Sequence, residues 1–220
     1  MKVRKQNINK KETTIVSILL DKSGSMDPNR KATVEAINEY VGNLKNDKNK
    51  YKFNLTFFDT ELEKPYVNVD IKNVGKLTED LYRPDGMTAL YDAVYQTAND
   101  IEKQNSEDKV LFVIMTDGLE NSSHEHDQKQ ISLLIKRLQE KGWTFVFMGA
   151  NQDSWATAQT WNIPVMNITN FNATEKGIHK SYEVLRGATM MYASSSAGGS
   201  NGSSSNFFNK DEQEELQNQR

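Results

Sequence analysis

The sequence predicts an open, mostly parallel α/β sheet with one antiparallel edge strand and helices on both faces. Strands alternate with amphipathic helices along most of the 220 residues. Residues 13–20, apart from Ser17, and residues 110–115 are apolar or β-branched, which is typical of central strands that are buried on both faces. Residues 51–57 and 67–71 alternate between apolar and polar, and the link between them is too short for a parallel crossover. They are therefore predicted to form an antiparallel hairpin.

The helices follow from apolar residues that recur at helical spacing. Val34, Ile37, Val41 and Leu44 mark the first of them. The same spacing predicts later helices at residues 90–101, 131–138 and 178–192. A short helix at 154–161 and strands at 144–148 and 164–168 complete the predicted elements.

Composition predicts how the chain is divided. Residues 1–12 carry five basic residues and little that can pack, so a flexible basic arm is expected there. The folded domain is predicted over 13–193. A flexible tail, rich in Ser and Gly and then acidic, is predicted over 194–220, because ordering it would cost about 1 kcal/mol or more per residue without burial to offset this.

Charge and cysteine content exclude several classes of protein. The chain has 27 Lys and Arg, 30 Asp and Glu, and a net charge of −3, so a nucleic-acid partner is not expected. It has no Cys, which excludes disulfides, cysteine-ligated metals and thiol catalysis. The longest apolar run, 110–115, is far shorter than the roughly 18 residues of a membrane span, and no secretory signal is visible. A cytoplasmic protein without a membrane partner is expected.

Three oxygen-bearing residues follow the first buried strand at alternate positions. Asp21, Ser23 and Ser25 can converge on one point in an extended loop, and Gly24 lets that loop turn. A carboxylate and two hydroxyls are hard ligands that suit Mg²⁺ or Mn²⁺. Taken alone, the motif fits equally well a Ser-Gly turn in which Asp21 caps a helix.

Two further motifs belong to the same edge of the predicted sheet. Asp117 directly follows the second buried strand, and Thr88 lies near the start of a helix after a Gly turn. Singly, they are typical of an Asx turn and a helix cap. Because ligands of such sheets bind beyond the carboxyl ends of the strands, the motifs together predict a metal site. Both carboxylates are expected on surface loops.

The pattern Asp21-x-Ser23-x-Ser25, with Thr88 and Asp117-Gly118, resembles the metal-ion-dependent adhesion site (MIDAS) of von Willebrand factor A domains, here over residues 13–192. The most similar members are stand-alone bacterial and bacteriophage proteins. The resemblance implies a Rossmann-like fold in which the serines and the threonine or an aspartate touch the metal. It further implies that a carboxylate from a protein partner completes the coordination, and that the domain recognises proteins without catalysis.

Two alternative functions stay open. One is a metal-dependent phosphate-ester hydrolase, although Ser23 stands where phosphatases with an Asp-x-Asp motif have their second Asp. The other is a structural subunit of a bacterial or phage assembly. A phosphate-binding Gly-Lys-Ser/Thr loop and a Gly-x-Ser-x-Gly nucleophile motif are both absent from the sequence.

Other polar residues fall near the same edge. Asp59, Asn151 and Asp153 can frame the cleft around the metal, but turn and cap chemistry is favoured for them. No Cys or further His lies near His124 and His126 in the sequence, so a polar loop that leads into a helix is predicted there.

Overall fold

The computed structural model describes residues 12–104, 109–150, 152–195 and 205–217, with the backbone alone at 152–155 and 217. Within these ranges six strands form one sheet in the order β3-β2-β1-β4-β5-β6. All neighbouring strands run parallel except β2 and β3, which confirms the predicted antiparallel hairpin at the edge. The strands are β1 (Thr13–Asp21), β2 (Lys50–Phe58), β3 (Leu62–Asp70), β4 (Lys109–Thr116), β5 (Thr144–Gly149) and β6 (Ile168–Asn170).

Helices cover both faces of the sheet, as predicted. The described ranges hold α1 (Arg30–Asn46), α2 (Leu90–Gln104), α3 (Gln128–Glu140), α4 (Gln152–Thr160), α5 (Glu175–Ser194) and α6 (Lys210–Gln217). Buried side chains of α1, α5 and α6 share one apolar core, and those of α2, α3 and α4 share the other. The two cores explain why β1 and β4 are apolar in both alternating positions.

The strand register sets the place of the site. In the parallel pairing of β1 with β4, Leu20 lies opposite Met115, so both strands end at the same level of the sheet. After β1 the chain crosses to β2 on one side of β1. After β4 it crosses to β5, on the opposite side. The loops after Asp21 and Thr116 therefore diverge at the point where strand order reverses, which is where such sheets bind ligands.

The C-terminal segment differs from the predicted flexible tail. α5 extends to Ser194, and Phe207, Phe208 and Leu216 are buried in the core that α1 and α5 share. The backbone N–H of Phe207 donates to Asn167 Oδ1 at 2.9 Å, and that of Phe208 donates to the carbonyl of Met166 at 3.1 Å. Residues 205–217 are thus part of the folded domain. Residues 1–11 and 196–204, where the arm and the Ser/Gly-rich stretch were predicted, lie outside the described residues.

The last strand also begins later than predicted. Pro164 precedes a turn of 3₁₀ helix at Val165–Asn167, and β6 starts only at Ile168.

Among the described residues there is no helix with the length and apolar character that a membrane crossing requires.

Candidate metal centre

Hydrogen bonds to main-chain carbonyl groups bring the loops of the site together. Asp21 is the last residue of β1, and the hydroxyl of Tyr82 donates to its carbonyl at 2.6 Å. In the loop that follows, the N–H of Gly24 donates to the carbonyl of Gly86 at 3.2 Å. The N–H of Asp85 donates back to the carbonyl of Lys22 at 2.8 Å. The Asp-x-Ser-x-Ser loop is therefore held against the loop that carries Thr88.

The side chains of the first loop form a connected set with Asp117. The N–H of Ser23 donates to Asp21 Oδ1 at 2.7 Å, and the hydroxyl oxygens of Ser23 and Ser25 are 3.2 Å apart. Ser25 Oγ donates to Asp117 Oδ1 at 2.5 Å, although the two residues are 92 positions apart in the chain. The ends of β1 and β4 thus share one cluster of oxygen atoms.

Gly118 shows that Thr88 belongs to the same cluster. A Cβ atom at Gly118 would lie 3.1 Å from Thr88 Oγ1, 3.6 Å from Asp21 Oδ2 and 3.9 Å from Ser23 Oγ. The missing side chain leaves a small space that these oxygens face. The structure therefore brings all five predicted residues to one place, and their hard oxygen atoms fit Mg²⁺ or Mn²⁺.

The burial of Asp21 gives the site its electrostatic character. Asp21 is 0% exposed, so the expectation that both carboxylates lie on surface loops is wrong for this residue. Burial, with a smaller contribution from the charge of Asp117, raises the pKa of Asp21 to about 6, against hydrogen bonds from Ser23 and Thr116 that lower it. Burial also raises the pKa of the Asp117 carboxyl. Two carboxylates in such surroundings are stabilised by a cation.

Lys22 does not supply that positive charge, although it is next to Asp21 in sequence. Its ammonium pairs with Asp59 at 3.0 Å and with Glu63 at 2.5 Å. Asp59 also accepts the N–H of Glu61 at 2.7 Å, which is the turn chemistry that the sequence favoured. Asn151 lies outside the described residues, and the side chain of Asp153 is not described.

The sequence analysis did not single out Thr116 as a site residue. Its hydroxyl donates to Asp21 Oδ2 and accepts the N–H of Gly118 at 3.0 Å. The available signal was a hydroxyl residue that ends a buried strand directly before Asp117. Thr116 thus connects one carboxylate of the site to the loop that bears the other.

The His124-Glu125-His126 segment is a polar loop before α3, as predicted. The N–H groups of these three residues donate to the carboxylate of Asp92, and His126 Nδ1 lies 2.9 Å from Asp92 Oδ1. Asp127 then caps α3 in a reciprocal pair with Gln130. The histidines are therefore placed by structural contacts with α2.

Comparison with known proteins identifies the fold. The family model of the von Willebrand factor type A domain matches residues 16–179. No curated protein sequence matches the chain significantly. The chain spans less than half the length of the first two solved structures described next. Because the sequence identities to the solved structures described here are 16% or less, these similarities show the fold alone.

One similar structure is proximal thread matrix protein 1 from the mussel byssus, with a TM-score of 0.63, 15% identity, and 81% of this chain and 46% of that chain covered. Another is a von Willebrand factor type A protein from Catenulispora acidiphila, with a TM-score of 0.62, 14% identity and coverage of 82% and 43%. A third is the manganese-loaded TRAP protein of Plasmodium vivax, with a TM-score of 0.52, 16% identity and coverage of 78% and 74%. The mussel protein has also been solved with zinc in its MIDAS motif.

Proposed function

Since this chain belongs to the von Willebrand factor type A family, we propose that it is a protein-recognition module whose divalent metal site takes a carboxylate from a partner protein. The family is known for metal-dependent adhesion and protein interaction. The observation that carries the proposal is the convergence of Asp21, Ser23, Ser25, Thr88 and Asp117 on the space beside Gly118.

The residue types explain why such a site would take an external carboxylate. Asp21 and Asp117 supply two negative charges, which balance one divalent cation, whereas the three hydroxyls are neutral and donate little electron density. A bound Mg²⁺ prefers six oxygen ligands at roughly 2.1 Å and acts as a Lewis acid toward a further anionic oxygen. Ser25 is exposed and Asp117 is only partly buried, so the cluster is open to solvent on that side. An Asp or Glu side chain of a partner fits this role.

We propose Mg²⁺ or Mn²⁺ as the resident ion, because hydroxyl and carboxylate oxygens are hard ligands. Manganese in the related TRAP protein supports this choice, and zinc in the mussel protein shows that a related motif also accepts a softer ion. We further propose a stand-alone bacterial or bacteriophage protein of the cytoplasm, where proteins rarely carry disulfides; this chain has no Cys.

Recognition without catalysis is favoured over phosphate-ester hydrolysis. A hydrolase would need a general acid or base beside the metal. Ser23 occupies the position where Asp-x-Asp phosphatases have that group, and Asp59 is engaged by Lys22. The alternative of a purely structural subunit leaves two partly or fully buried carboxylates in one cluster without a role.

Water-proton relaxation tests the proposal directly. Protein-bound Mn²⁺ relaxes water protons through the water molecules on the ion, and acetate should lower this effect by displacing water. Acetamide, which has the same shape without the charge, is the matched control and should leave the relaxation unchanged. Equal effects of acetate and acetamide would contradict carboxylate recognition.

Turnover of p-nitrophenyl phosphate with Mg²⁺, if lost in Asp21→Asn, would instead establish the hydrolase.

A further inference from the structure

The main chain of Thr88 is held on both sides by one residue of the loop after β4. The N–H of Thr88 donates to Asn121 Oδ1 at 2.9 Å. The carbonyl of Thr88 accepts the N–H of Asn121 at 3.0 Å and that of Ser122 at 3.3 Å. Asn121 therefore contacts both polar groups of the Thr88 main chain, the N–H through its side-chain oxygen and the carbonyl through its own N–H.

Asn121 is itself fixed to the start of α2 by its neighbour Glu120. One carboxylate oxygen of Glu120 accepts the N–H groups of Ser122 and Ser123 at 2.9 and 2.7 Å. The other accepts the N–H of Tyr91 at 2.9 Å. Because Tyr91 lies in the first turn of α2, this N–H would otherwise lack a partner within the helix. Hydrogen bonds of Glu120 and Asn121 thus join the loop after β4, which carries Asp117, to the residues around Thr88.

Asn121 restrains Thr88 in addition to the hydrogen bonds that hold Asp85 and Gly86 against the first loop. Gly86 has a φ of +74°, and Met87 is 54% exposed, whereas the side chain of Thr88 is buried and faces the space beside Gly118. Mg²⁺ and Mn²⁺ sites demand ligand positions within a few tenths of an ångström. A shift of the Thr88 main chain would therefore move its hydroxyl out of the cluster.

We propose that Asn121 is a positioning residue for the metal site, which sets the location of the Thr88 hydroxyl through the Thr88 main chain. This inference rests on the proposed metal site. It assigns to the loop after β4 a second role, since that loop carries Asp117 and also holds the ligand contributed by the loop before α2.

Substitution of Asn121 separates positioning from general stability. Asn121→Ala removes the acceptor for the Thr88 N–H, and because Asn121 is exposed, the domain should still fold. Loss of a group that orients a ligand typically costs roughly ten- to a hundredfold in metal affinity. At this exposed position we expect the lower end, about a tenfold loss of Mn²⁺ affinity measured by calorimetry. Asn121→Asp retains an acceptor oxygen for the Thr88 N–H and should bind Mn²⁺ as the unaltered protein does. The same result is expected at about 0.5 M salt, which screens the long-range attraction between the added negative charge and the ion.

Asn38 provides the matched control. Its amide bridges the N–H and carbonyl of Leu77 at 2.8 and 2.9 Å, and no described hydrogen bond joins Asn38 or Leu77 to the metal cluster. Asn38→Ala should lower the melting temperature of the metal-free protein at least as much as Asn121→Ala and leave Mn²⁺ affinity unchanged. An equal loss of affinity in both variants would overturn the positioning role.

The result with Thr88→Ala distinguishes this inference from the proposed site. If Thr88→Ala weakens Mn²⁺ binding and Asn121→Ala does not, the positioning role is wrong and the site stands. If Thr88→Ala and Asp21→Asn both bind Mn²⁺ as the unaltered protein does, the site itself is wrong, and the inference fails with it.

Discussion

The hydroxyl of Thr116 donates a hydrogen bond to Asp21 Oδ2, so the ends of β4 and β1 are joined through the carboxylate at the centre of the site. The other oxygen of Asp21 accepts the N–H of Ser23 at 2.7 Å. Both oxygens are therefore oriented by the protein before any ion binds. A fixed, buried carboxylate is costly to ionise alone, and a divalent cation would remove that cost.

The first prediction concerns the pH dependence of the metal-free protein. The folded-state pKa of Asp21, about 6, is above its ordinary value of 3.8. The folded protein thus holds a proton that the unfolded chain has lost, and stability falls as pH rises from about 4 to about 6. A shift of this size corresponds to about 3 kcal/mol. Urea unfolding in the presence of a chelator measures the free energy of unfolding at each pH. The contribution of Asp21 is the difference between the unaltered protein and Asp21→Asn.

The comparison with Asp21→Asn is needed because other carboxylates act in the opposite direction. Glu102, for example, has its pKa lowered to about 2 by Arg137 and Lys141, which makes stability rise with pH over about 2 to 4.5. That contribution is common to both proteins and cancels in their difference. The unaltered protein should lose stability relative to Asp21→Asn over pH 4 to 6. A difference that stays flat with pH would show that Asp21 titrates normally.

The second prediction is that metal binding weakens in acid. Asp21 must lose its proton to serve as a ligand, so a proton and the metal compete for it. Below about pH 6 we expect the Mn²⁺ affinity to fall by about tenfold for each pH unit, and above about pH 7 to be nearly constant. Calorimetric titrations at pH 5, 6, 7 and 8 provide the measurement, and an affinity independent of pH over this range is the contrary result.

The third prediction concerns the C-terminal segment. Because Phe208 is buried in the core beside α5, Phe208→Ala should lower the free energy of unfolding by roughly 3 to 5 kcal/mol. Ending the chain after Ser195 should lower the melting temperature by many degrees. Leu133→Ala is the control, since Leu133 is 59% exposed and its loss should change little. A truncated protein as stable as the full chain would restore the predicted boundary at 193.

The sequence was sufficient to predict the sheet, because periodicity and strand length report directly on burial. It was also sufficient to bring Asp21 and Asp117 to one edge, since parallel strands end together there. Burial of Phe207 and Phe208 was not predictable in the same way. They follow a Ser- and Gly-rich stretch, and their docking depends on distant residues such as Met166 and Asn167.

The supporting residues of the site were the least visible in the sequence. Thr116 and Asn121 act through hydrogen bonds to residues 95 and 33 positions away, and such contacts leave no local pattern. The burial of Asp21 was hidden for a related reason. A charged residue after an apolar run signals the end of a strand, yet here the loops around Ser23, Gly86 and Gly118 cover that end.

The most direct test is calorimetric titration of Mn²⁺ into the unaltered protein, Asp21→Asn and Asp127→Asn at pH 7.5. Asp127 caps α3 and has no contact with the metal cluster among the described interactions, and asparagine preserves that cap, so this variant controls for the exchange of a carboxylate for an amide. We predict binding of one ion with equal affinity to the unaltered protein and Asp127→Asn, and no measurable binding to Asp21→Asn. Binding of equal affinity to all three proteins would contradict the assignment of the metal site.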